Sequence, residues 1–144
     1  MQWLSILSKI VLLAFLAIAA LTDCKSKKIS IVFVACGFAV GLTMQILIGE
    51  LKFYELLGGC ALGAIMLLIS KLTNQAIGYG DGLMLIATGA FLGIFENVML
   101  LLIALLIAAV ISIVLLVIKK KKKNFMLPFL PFLLSSYVLM LAVY

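Results

Sequence analysis

Six stretches of this chain are long and apolar enough to cross a bilayer: residues 3–22, 30–48, 54–70, 77–95, 98–118 and 125–143. A spanning helix needs about 20 mostly apolar residues. With 67% hydrophobic residues and a mean hydropathy of +1.42 across 144 residues, there is too little polar surface to wrap a soluble core. The expected fold is an all-α integral membrane bundle of six helices, forming a single domain over residues 1–144. Hardly any chain remains for a soluble domain, and nothing in the pattern suggests a nucleic-acid partner.

The lysines orient this bundle, because cytoplasmic loops collect them and exported loops do not. Lys25, Lys27 and Lys28 fall in the first loop, Lys71 in the third and the run 119–123 in the fifth. These odd-numbered loops share a side, so the cytoplasm is expected there and both termini outside. The second loop sets Lys52 against Glu50 and Glu55, and the fourth is little more than Glu96 and Asn97. Lys9, inside the first apolar stretch, is expected to snorkel to the outer interface. The run 119–123 reads as a stop-transfer anchor held by anionic lipid, and Trp3, Tyr54 and Tyr144 as interface anchors.

The N-terminal stretch imitates a secretory signal, with Lys9, an apolar run and Ala17-Ile18-Ala19. The lysines that follow it argue for a retained helix. Cys24, Cys36 and Cys60 form no C-x-x-C pair, and the chain has no histidine. A protein-bound zinc or iron centre is therefore not expected, nor is any other cofactor.

Five carboxylates remain to be placed. The topology puts Glu50, Glu55 and Glu96 outside and leaves Asp23 and Asp81 on the cytoplasmic side at similar depth. Two such carboxylates can divide acid and base work, one activating a water while the other, protonated, polarises a carbonyl. With no histidine, no metal-ligand cluster and no serine and lysine at one level, this pair is the only hydrolytic set available. Asp81 enters the membrane by about one turn, some 6 Å at 1.5 Å per residue. Gly78 and Gly80 flank it, and Gly80 in particular is expected to supply bare backbone beside an extended substrate.

Together, "DCKSKKI" (23–29), "GYGD" (78–81) followed by "ATGAFLG" (87–93), and "LPFLPF" (127–132) resemble the type IV prepilin peptidases, membrane aspartic proteases of the G-x-G-D type. The resemblance covers essentially the whole chain in order and spacing. It implies that Asp23 and Asp81 are the catalytic pair, and that Gly78, Gly80, Lys28, Pro128 and Pro131 shape the site. It also implies prepilin or pseudopilin substrates with basic leaders, cut at the cytoplasmic face of a prokaryotic cell membrane. Ser30, Leu83 and Leu130 stand where the family usually has proline, lysine and glycine. The cysteine-bearing segment linked to methyl transfer has no counterpart, so the chain resembles the short, peptidase-only form.

Gly37 with Gly41, Gly59 with Gly63, and Gly89 with Gly93 have the spacing that lets helix backbones approach in lipid. They are expected to pack helices two, three and four within one chain. Pro128 and Pro131 should interrupt the start of helix six and leave carbonyls without helical partners. The principal rival function is a small proton-coupled carrier using the two aspartates as a relay; a structural assembly subunit is the other.

Overall fold

The computed structural model describes residues 2–74, 78–119 and 127–144. Among these residues the chain is all helix: α1 (Gln2–Ser26), α2 (Ile31–Ile48), α3 (Phe53–Leu72), α4 (Tyr79–Lys119) and α5 (Leu130–Val143). The first four are long and apolar enough to cross a membrane, and α5 is a shorter apolar helix of 14 residues. The chain is thus built as a multi-pass membrane protein. Beyond Lys119, the lysine run lies outside the described residues, as do positions 75–77 and 125–126 of the expected fourth and sixth helices.

At 41 residues, α4 would be about 60 Å long if straight, twice the hydrocarbon core. It is not straight. Gly93 adopts φ 74 and ψ −173, a conformation essentially reserved for glycine. Asn97 then lies beside Leu85, donating from Nδ2 to the Leu85 carbonyl at 3.0 Å. Along an unbroken helix these two residues would be about 18 Å apart, so the chain folds back at Gly93 into a first arm (79–92) and a second arm (94–119).

This corrects the expected reversal at Glu96 and Asn97. Asn97 is not loop but fully buried. Its Nδ2 also reaches the Gly59 carbonyl at 3.1 Å, and its Oδ1 accepts from the Thr88 hydroxyl at 2.7 Å. One amide side chain thereby ties both arms to α3. Glycine sets the corner and asparagine locks it, which is why the polar pair in the sequence marks the bond rather than the turn.

Backbone contact between α3 and the first arm fixes the position of that arm. A Cβ on Gly59 would come within 2.7 Å of the Gly89 carbonyl oxygen, one on Gly63 would collide with the Ile86 backbone, and one on Gly82 would meet the Leu67 amide at 3.0 Å. Gly37 seats the ring of Phe15, itself stacked on Phe33 with centroids 4.7 Å apart, and Gly41 seats Phe91. All three glycine pairs therefore face other helices of the same chain. Around them the core joins Leu12, Leu16 and Ala19 of α1 to Met84 and Leu85 of α4 and to Leu133 and Tyr137 of α5. Ser136 donates to the Leu100 carbonyl at 2.8 Å, and the Tyr137 hydroxyl to that of Lys9 at 3.2 Å, binding α5 to the second arm and to α1.

Candidate active site

Asp23 occupies the last turns of α1, where the helix is closed by Lys27 in a left-handed conformation (φ 51), its N–H donating to the Asp23 carbonyl at 2.9 Å. Only residues 27–30 separate α1 from α2, so the chain turns directly over the carboxylate. Asp81 sits in the first turn of α4, its N–H donating to the Gly78 carbonyl at 3.2 Å. A negative side chain is favoured there by the partial positive charge of the helix N-terminus.

The two aspartates line one cavity of about 710 Å³, within the usual range of about 300–1,000 Å³ for ligand sites. They are 58 positions apart in sequence, 81 minus 23. The charge of Asp23 reaches Asp81, and that of Lys27 reaches Asp23. Gly78, Gly80, Lys28 and Pro128 line the same cavity. Pro131 does not; it lies in the first turn of α5, where the missing N–H costs nothing and the fixed φ suits a helix start.

The prolines correct a second expectation. They leave free amides rather than free carbonyls, because they stand at a helix N-terminus, where the first N–H groups lack partners. One of these amides has a use in the site: the Leu130 N–H donates to Asp23 Oδ2 at 3.4 Å, and Asp23 is only 9% exposed. Thus α5 holds one carboxylate while the start of α4 carries the other.

The flanking glycines differ in what they face. A Cβ on Gly78 would stand 2.6 Å from Asp81 Oδ2, whereas one on Gly80 would meet the end of the Ile29 side chain at 3.2 Å. The pressure for bare backbone beside the carboxylate therefore falls on Gly78 more than on Gly80. Sequence reasoning did not find the Leu130 amide, nor Ile29, Tyr79, Leu127 and Phe129, which add apolar and aromatic walls to the cavity. Pro131 was the available signal for the amide, since proline early in a helix marks where N–H groups are free. Among the described residues, no group of three His, Cys, Asp or Glu side chains converges as a metal site would require.

Against known proteins, the model of the type IV leader peptidase family matches residues 10–113. That span contains Asp23, Gly78, Gly80 and Asp81 and stops short of the "LPFLPF" segment. No curated protein and no solved structure matches the chain.

Proposed function

Since this chain belongs to the type IV leader peptidase family, which implies peptidase activity, we propose that it is an aspartic endopeptidase acting at the membrane interface. Asp23 and Asp81 form its catalytic pair. Its substrates are prepilin-like proteins, from which it removes a basic leader at the cytoplasmic face of a prokaryotic cell membrane. The observation that carries this reading is that the two aspartates, distant in sequence, wall a single cavity together.

In the proposed reaction the substrate lies extended in the cavity with its scissile carbonyl between the carboxyls. One aspartate takes a proton from a water as the oxygen of that water bonds to the carbonyl carbon. The other, protonated, gives its proton to the carbonyl oxygen. Collapse of the tetrahedral species breaks the C–N bond, and the leaving amine takes up the proton held by the first aspartate. The Leu130 amide holds Asp23 in place, and Gly78 leaves room for the Asp81 carboxyl to turn toward the substrate. Lys27 and Lys28 at the cavity wall oppose a basic leader, so its attraction to the site comes from the aspartates and from anionic headgroups.

The carrier reading needs polar groups spaced through the bilayer. The buried Thr88, Asn97 and Ser136 are instead taken up in bonds within and between helices.

Co-expression with candidate prepilins from the same genome tests the proposal. A faster-migrating product is expected, and its formation by the purified protein should survive chelators without any added cofactor and yield an unmethylated N-terminus. Absence of cleavage across all prepilins of that genome would contradict it.

A further inference from the structure

Away from the aspartates, charged side chains lie at a depth where a bilayer is still hydrocarbon. From Asp23 back to Lys9, α1 covers about 21 Å, and from Asp81 to the corner at Gly93 the first arm covers about 18 Å. A hydrocarbon core is about 30 Å thick, so with the aspartates near one interface, Lys9 and the corner stop roughly 10 Å short of the other. α5 is equally short, while α1 continues past this level to Gln2. The outcome is a recess among longer helices.

Two adjoining cavities make up the recess. The smaller, about 90 Å³, is walled by Gln45, Glu50 and Glu96 with Ser8 and Lys9. Gln45 is held there because its Nε2 donates to the Phe91 carbonyl, yet its Oε1 is buried without a partner. The larger, about 370 Å³, shares Lys9, Glu96 and Tyr137 with the first and is otherwise apolar, with Phe95, Met99 and Met140 along its wall. Glu96 is within electrostatic reach of both Lys9 and Glu50. Acceptors thus converge on the small cavity, a cation stands at the junction, and a greasy wall leads outward.

Charged groups at such depth are costly unless polar partners meet them, and the partner that fits has three parts. It needs N–H donors with positive charge for Gln45 Oε1 and the carboxylates, an anion for Lys9, and an apolar tail for the outer wall. We propose that this recess binds a primary-amine phospholipid. The ammonium donates to Gln45 Oε1, Glu50 and Glu96, the phosphate lies beside Lys9, and an acyl chain runs along Phe95, Met99 and Met140.

The test is native mass spectrometry of the purified protein equilibrated with equal amounts of phosphatidylethanolamine, phosphatidylcholine and phosphatidylglycerol. The ethanolamine lipid should be retained about tenfold over the choline lipid, whose ammonium has no N–H to give, since hydrogen bonds to charged groups contribute at this scale. Glu96→Gln and Glu50→Gln should each reduce that preference, while prepilin cleavage at the opposite end continues and reports an intact fold. Equal retention of the three lipids, preference for the glycerol lipid through Lys9 alone, or a recess that retains no lipid in the unaltered protein would each overturn the proposal. The headgroup comparison in the unaltered protein needs no variant to fold.

Discussion

Gly78 and Gly80 flank Asp81 symmetrically in sequence and unequally in space. Ala at 78 would thrust a methyl group against Asp81 Oδ2, 2.6 Å away, whereas Ala at 80 would press only on the flexible end of Ile29. Gly78→Ala is therefore expected to lower prepilin cleavage by about 100-fold, the usual effect of misplacing a reacting group by about 1 Å, with little change in thermal stability. Gly80→Ala should leave cleavage near that of the unaltered protein and gain some helix propensity, worth roughly 0.5–1 kcal/mol. Rates in detergent with both variants check this, and a larger loss at 80 than at 78 would reverse the assignment. The inequality was not legible in the sequence, because G-x-G-D shows the spacing of glycines but not which one a side chain leans over. The aspartates were legible, since a carboxylate in a chain this apolar needs a reason to be there. Ser30, where proline is usual, holds φ −69, the value that proline itself would fix, so this departure leaves the local backbone unchanged.

At the scale of elements, the corner in α4 places Asp81. The first arm is pinned to α3 by glycine contacts along its length and stopped by Gly93, so the depth of Asp81 follows from where the chain turns back. Gly93→Ala would force a side chain into φ 74 and bring a Cβ within 3.0 Å of Leu51 Cδ2. A strained conformation of this kind costs about 1–3 kcal/mol, and thermal unfolding in detergent should show a loss of that size. Unchanged stability would mean that the arms turn elsewhere. The sequence marked the glycine stripe correctly as packing within the chain, but Gly93 belongs to that stripe and to the corner together, and spacing alone cannot separate the two roles. Likewise the prolines announced a break before α5, while the amide that the break frees for Asp23 became evident only once α1 and α5 were side by side.

Across the whole molecule, one end carries the two aspartates in a wide cavity, and the other carries Lys9, Glu50 and Glu96 in a recess. Lysine asymmetry assigns the aspartate end to the cytoplasm, and single-cysteine labelling in a cysteine-free background checks it: an impermeant reagent should fail to modify position 121 in intact cells. Modification there would turn the bundle over and remove the aspartates from the cytoplasmic face. The helical membrane class was legible because apolar runs of spanning length admit few other outcomes. The convergence of Asp23 and Asp81 was legible only as equal depth, not as a shared cavity, because depth follows from periodicity and lateral position follows from packing. The central claim is that these two carboxyls divide the work of one reaction. Asn keeps the size and polarity of each side chain but cannot take a proton from water, so Asp23→Asn and Asp81→Asn each test it with the fold intact. Cleavage of a co-expressed prepilin, with membrane insertion and detergent stability measured alongside, is the most direct measurement. Each single variant should lose nearly all cleavage at close to normal stability, and the double variant should lose little more, as expected of residues acting as a unit. Retained cleavage in either variant would remove that aspartate from the pair, and retention in both would contradict the account.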